Sequence, residues 1–189
     1  MKHFLAIITI TFLISSCTKP LDYKYQDKKQ INVCKGLDAK LASEAYYSFR
    51  EDLAEYTKKT NVSVDYLDYQ YSLALYIYNG TEGLANYKSI ASSHSLEIFK
   101  KLQNEEQLWV NPATGKINYN SEFIDCLLKN IQNNEVRLPL ISLRDTGSIN
   151  KLSLAELFRT TIKDAETDPA YAMFIAFETY YKFFPKIKK

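Results

Sequence analysis

Histidine is nearly missing from this 189-residue chain, with two copies, His3 and His94. His3 belongs to an N-terminal leader, so His94 is the one imidazole in the body of the protein. That excludes a zinc site built on two or three histidines. It also obliges any Ser-His-Asp or Cys-His arrangement to use His94. Cysteine occurs three times, and Cys34 and Cys126 lack the close spacing of zinc ligands. No sign of charge prevails: the formal balance is +2, which gives no electrostatic case for nucleic acid as a partner. Long apolar runs are missing too. The longest stretch, Phe4 to Ile14, is interrupted by Thr9 and Thr11 and falls short of the about 20 residues a membrane-spanning helix needs.

Motifs that would announce chemistry are equally scarce. Gly115-Lys116 is not a phosphate loop: Val110 stands where the first glycine belongs and Ile117 where Ser or Thr belongs. There is no G-x-S-x-G, H-E-x-x-H, C-x-x-C or calcium-loop pattern. Asp145-Thr146-Gly147-Ser148 resembles the active-site tetrapeptide of aspartic proteases. That chemistry needs a carboxylate in a tight loop between strands and a second one facing it. Here Arg144 precedes the aspartate, no strand pattern surrounds it and there is no second copy, so the segment reads as a loop between helices. No catalytic residue, cofactor or metal is assigned.

What is present begins at the N-terminus. Lys2 and His3 give a cationic start, the apolar run follows, and Ile14-Ser15-Ser16-Cys17 closes it. A charged n-region, an apolar h-region and small residues at a cleavage site make a secretory signal. Ile14-Ser15-Ser16-Cys17 resembles the lipobox of bacterial lipoprotein precursors. The resemblance covers the export segment alone. It implies a diacylglycerol on the Cys17 thiol, cleavage before Cys17 and attachment to a membrane, and two acyl chains make such an anchor durable. Thr18, rather than an acidic residue, follows the cysteine, which in that family leans towards the outer membrane. No acidic cluster follows Cys17 to argue for the cell surface, so the expected face is periplasmic, with surface exposure left open.

The expected organisation is a signal peptide over 1–16, a lipidated cysteine and flexible tether over 17–33, and a single domain over 34–189. Hydrophobic residues at 46% and charged residues at 24% are ordinary for one globular domain. Tyr23 and Tyr25 in the tether suit a membrane interface. In an oxidising compartment Cys34 and Cys126 are an even pair, expected to form one disulfide worth about 2–4 kcal/mol. The alternative is two separate buried thiols, since Cys126 falls in an apolar helical pattern.

Helical periodicity dominates the rest. Leu37, Leu41, Ala45, Phe49, Leu53 and Tyr56 form one stripe on a helix over 37–59, with Glu44, Glu51, Asp52 and Glu55 on its wet faces. A second helix is predicted from the Ser63 cap to Asn79-Gly80, with Val64, Leu67, Tyr71, Leu75 and Tyr78 inward. Tyr66, Tyr69, Leu73 and Tyr76 make a second row that either is buried too or faces a partner. A third helix is predicted over 81–102, with Tyr87, His94 and Ile98 on one face. His94 there is either a packed residue with one hydrogen-bond partner or a polar group in a pocket. Trp109-Val110 and Lys116-Ile117 flank a Pro- and Gly-containing connection and predict a small hairpin, whose Trp109 either plugs the core or serves recognition. Further helices are predicted from Asn120 or Ser121 through about Gln132, over 136–143, from a capping box Ser153–Glu156, and from Asp168-Pro169. The fold expected is mostly α: an irregular bundle of five to seven helices with one small hairpin.

Function is read only coarsely. The acid–base inventory is poor and tyrosine is abundant, at fifteen copies. These features favour a lipid-anchored envelope protein acting as a non-catalytic binding or interaction module, its membrane contact through Cys17 and its partner an envelope protein. Tyr69, Tyr76, His94 and Trp109 are the candidate binding residues. The alternative is a small-ligand binder or enzyme with a pocket around His94.

Overall fold

The computed structural model describes residues 20–31, 34–60, 69–146 and 150–187. The signal segment with Cys17, the segment holding Ser63, Val64, Tyr66 and Leu67, and Gly147 and Ser148 lie outside the described residues. The fold is mostly α with one small antiparallel hairpin. Its elements are α1 (Ala39–Thr60), α2 (Tyr69–Glu82), α3 (Tyr87–Ile90), α4 (Ser93–Leu102), β1 (Trp109–Asn111), β2 (Lys116–Ile117), α5 (Glu122–Asn130), α6 (Asn134–Thr146), α7 (Lys151–Thr160), α8 (Asp164–Thr167) and α9 (Pro169–Thr179), followed by a 3-10 helix Tyr181–Lys186.

The centre is α9. Every residue from Ala170 to Thr179 is buried, and the helix contacts α1, α2, α5 and α8. A helix apolar on all sides must lie inside a bundle, because no face of it is stable in water. Asp168 starts it, its side chain accepting from the N–H groups of Ala170 and Tyr171, with Pro169 in the first turn. The first long helix forms where its period places it. Asp38 caps α1 by accepting from the Leu41 N–H at 2.8 Å, and Leu41, Ala45, Phe49 and Leu53 are buried on its inner stripe.

Several elements differ from their sequence-based expectation. Helix α2 runs through Gly80 to Glu82, because Gly80 does not cap it: a Cβ there would fall 2.4 Å from the Tyr76 ring. The left-handed turn belongs to Gly83, at φ +76°. The single helix expected over 81–102 is two, α3 and α4. Ala91 is extended between them, and Ser92 caps α4 by accepting from the Ser95 N–H. Ser153 does not open α7; Asn150 does, its side chain accepting from both Leu152 and Ser153 N–H groups. The row of α2 expected inward is the exposed one, and its second row is buried. Tyr69, Leu73, Tyr76 and Ile77 are buried, while Tyr71, Leu75 and Tyr78 are exposed.

The segment over 20–31, expected to be a flexible tether, is instead held on α1. Ile31 is buried and its N–H donates to Ser43 Oγ at 3.1 Å. Tyr47 donates to the Lys29 carbonyl at 2.8 Å. Cys34 is bonded to Cys126 of α5, with Cα atoms 5.7 Å apart across 92 residues of sequence.

Candidate functional site at the contact of the first and fourth helices

Glu44, Ser48 and Asp52 recur at four-residue steps and so share one face of α1. The face meets the N-terminus of α4, where Ser92, His94 and Ser95 lie within one turn. Both carboxylates are buried, Glu44 at 2% and Asp52 at 6% exposure. Both were expected on wet faces. The reason for the difference is a full set of donors, without which buried carboxylates are costly.

Asp52 Oδ2 accepts from the Ser92 N–H (2.9 Å), Ser92 Oγ (3.2 Å), Ser95 Oγ (2.6 Å) and the Tyr180 hydroxyl (2.5 Å). Ser95 Oγ also meets Ser48 Oγ at 2.5 Å. Burial and the nearby Asp52 charge push the Tyr180 phenol well above its usual range, so Tyr180 stays a donor. Glu44 accepts from the backbone N–H groups of Lys24 (2.5 Å) and Tyr25 (3.2 Å) and lies 2.7 Å from His94 Nε2. Facing a carboxylate, Nε2 must carry a proton.

The segment over 20–31 closes the site from outside. Lys24 Nζ and the Tyr25 hydroxyl both donate to Glu51, the latter at 2.6 Å. Burial pushes the Glu51 carboxyl up, but these two hydrogen bonds and the Lys24 charge outweigh it and hold the group below its ordinary range. Burial, reinforced by the bond to Glu51, drives the Tyr25 phenol far upward. The Tyr25 ring stands edge-on to His94 with centroids 6.0 Å apart. Between α1, the Ser89–His94 stretch and this segment lies a cavity of about 300 Å³, bordered by Tyr25, Glu51, Asp52, Tyr56 and His94.

Of the four residues singled out as candidate binding groups, only His94 borders a cavity that also holds a tyrosine and carboxylates. Tyr69 and Tyr76 are core residues: Tyr69 lies under the Arg50 guanidinium at 4.0 Å from its ring centroid, and Tyr76 donates to the Thr179 carbonyl. Trp109 is also inside, its Nε1 donating to the Leu102 carbonyl at 2.8 Å. These three rings are not offered to a partner on the surface. Sequence reasoning missed Glu44 and Asp52. The four-residue polar row beside the apolar stripe was the available signal, but the donors that bury it come from distant segments.

Chemically, the arrangement holds and orients. Among the described residues no serine hydroxyl hydrogen-bonds His94, and the Ser48 and Ser95 hydroxyls are engaged with each other and with Asp52. No group of three or more His, Cys, Asp or Glu side chains there is arranged to hold a metal ion. No described helix is long and apolar enough to cross a membrane.

A second feature lies on α2. Tyr71 (37%), Leu75 (49%) and Tyr78 (37%) form an exposed row at helical spacing, and Leu84 (74%) continues the apolar surface beyond the helix end. The same helix packs on α1, α7 and α9, and Tyr78 at the edge of the row donates to Glu156 of α7. Comparison of the chain with known protein families, curated proteins and solved structures returned no match.

Proposed function

We propose that this chain is a lipid-anchored protein of the bacterial envelope, attached through Cys17 to the outer membrane and facing the periplasm, that binds another envelope protein through the exposed side of α2. The anchor rests on the lipobox-like Ile14-Ser15-Ser16-Cys17 after its apolar run. The binding reading is carried by the Tyr71, Leu75, Tyr78 and Leu84 row. Scattered exposed apolar residues need no explanation, but a contiguous row on one helix marks an interaction surface. Tyrosine suits such a surface, presenting a large ring with a polar tip.

The test is a photo-crosslinking residue placed at Leu75 or Leu84 in cells, with Lys58 on the wet side of α1 as the control position. A discrete crosslinked species from Leu75 and Leu84, absent from Lys58 and lost when Leu75→Glu and Leu84→Glu are combined in a chain crosslinking from Tyr78, is the expected result. Identical patterns from all positions would overturn the reading.

A second reading has its own observation: the cavity of about 300 Å³ beside His94, where a tyrosine and carboxylates converge as in a small-ligand pocket. Its volume is at the lower edge of the about 300–1,000 Å³ usual for such sites. Chemical shifts of the His94 ring that respond to a ligand would favour it over the α2 surface.

A further inference from the structure

A separate cavity of about 740 Å³ opens between the hairpin, the end of α6, the start of α7 and the end of α9. Its ionisable lining is lopsided: Lys116, Arg144, Lys151 and Lys182 against Glu178. Glu178 is buried, and both its oxygens are engaged. Lys182 donates to one and the Tyr119 hydroxyl to the other at 2.6 Å. The single carboxylate is therefore neutralised within the wall and does not repel an anion. Arg144 is paired with Asp125 and Asp145.

Lys116 and Lys151 are different. Among the described residues neither forms an ion pair, and Lys151 Nζ reaches only the Glu82 carbonyl, at 3.3 Å. Lys151 also stands in the first turn of α7, where no acidic residue occurs. A cation there adds to the positive end of the helix instead of offsetting it. Two uncompensated ammonium groups thus border a cavity whose remaining lining is mixed, with Thr81, Asn118 and Asn120 beside four apolar side chains. Ile117, Leu143 and Leu154 are three of these, and Val110, at 56% exposure, sits at the mouth.

We propose that this cavity is a binding site for an amphiphilic anion of small-molecule size: an anionic head held by Lys116 and Lys151 and an apolar body laid on Val110 and the small exposed edges of Ile117, Leu143 and Leu154. The volume falls inside the about 300–1,000 Å³ range of small-ligand sites, which combine apolar surface with a few polar or charged groups. The site is independent of the α2 surface and of the His94 cavity, so its success or failure leaves both readings of function untouched.

The experiment is isothermal titration of the full chain, purified in neutral detergent, with 4-phenylbutanoate, with its uncharged analogue 4-phenylbutanamide and with inorganic phosphate. The acid is expected to bind with a dissociation constant of about 1 mM or tighter, as a fragment of this size permits. The amide should bind roughly tenfold more weakly, with phosphate weaker than the acid, because head and body are both needed. Combined Lys116→Glu and Lys151→Glu should weaken the acid by roughly tenfold, as should raised salt, both acting on partly exposed charges. Combined Lys58→Glu and Lys88→Glu, outside the cavity, should leave it unchanged. Lys116→Gln with Lys151→Gln removes charge without adding repulsion and provides the same readout if the reversed pair fails to fold. Equal binding of acid and amide, no heat at 10-fold above the expected constant, or equal loss from the control pair would each overturn the proposal.

Discussion

Removing the Asp52 carboxylate is the most informative single perturbation of this fold, because four donors from two separate segments converge on one of its oxygens. In Asp52→Ala the Ser92 hydroxyl can turn to solvent and Ser95 Oγ keeps its contact with Ser48 at 2.5 Å. The Ser92 N–H and the Tyr180 hydroxyl are left stranded, and Tyr180 is fully buried. Each stranded buried donor costs about 1–3 kcal/mol, and losing the acceptor of charge-assisted bonds adds to it. The expected loss is about 3–5 kcal/mol, the range for breaking a buried charged network. Asp52→Asn separates geometry from charge. Its amide oxygen can occupy the Oδ2 position and accept every donor, so only the charge assistance is lost, about 1–2 kcal/mol. Glu55→Ala, one turn away and exposed, should stay within about 0.5 kcal/mol of the parent. Urea unfolding followed by Trp109 fluorescence, with the indole buried at 4%, reads all three. An Asp52→Ala loss below about 0.5 kcal/mol, or an Asn variant less stable than the Ala variant, would refute the reasoning.

Two further outcomes follow from the same packing. Cys34→Ser with Cys126→Ser should cost about 2–5 kcal/mol, since the bond closes a loop across 92 residues; on the parent, intact mass should rise by two hydrogens on reduction, and on membrane-extracted protein it should match cleavage before Cys17 plus acyl chains. Burial pushes the phenols of Tyr76, Tyr87, Tyr171, Tyr180 and Tyr181 above the ordinary value of 10.0. Groups raised in the folded state stabilise it fully below their unfolded value and lose that contribution as pH rises beyond it. Stability should therefore be flat up to about pH 9 and fall steadily above pH 10, with these phenols ionising together with unfolding in an ultraviolet titration.

Much of the fold was legible because local and tertiary preferences agreed. The row Leu37, Leu41, Ala45, Phe49 and Leu53 has one apolar face to bury, and the structure buries it. Asp168-Pro169 offers one cap and no competitor. Where two answers were locally equivalent, distant contacts chose between them. Helix α2 is apolar on two faces. The one carrying Tyr76 won because its hydroxyl reaches Thr179, 103 residues away, while Tyr78 turns outward and donates to Glu156. Ser153 was the cap read for α7, but Asn150 takes the role because it satisfies two backbone donors from one position. The candidate site was half legible. His94 stood out by scarcity, but Asp52 looks like a surface residue until Ser92, Ser95 and Tyr180 are brought to it across 40 to 128 residues, and Glu44 until Lys24, Tyr25 and His94 are brought to it across 19 to 50. No periodicity encodes that convergence.

The abundance of tyrosine acquires a structural meaning from the same contacts. The last carbonyls of a helix have no partner within it, and α9 ends in the interior, at Thr179, where water is excluded. Tyr76 from α2 and Tyr87 from α3 both donate to the Thr179 carbonyl, the second at 3.0 Å. Tyr181, just beyond, returns to the Ala45 carbonyl of α1 at 3.0 Å, and Tyr180 to Asp52. A phenol suits this duty: it fills core volume like phenylalanine and carries a donor to the far end of the ring. A serine or threonine is too short to cross between helices, and a lysine would bring a charge that the interior would have to neutralise. Tyr76 and Tyr87 are thus the means by which a central apolar helix can end inside the core, while Tyr180 and Tyr181 tie the chain beyond it to α1. Among the described residues the exposed tyrosines are Tyr71 and Tyr78 on the outer side of α2. Tyrosine enrichment alone is therefore weak evidence for binding, and the α2 surface must be judged on its own exposure and on the crosslinking it supports.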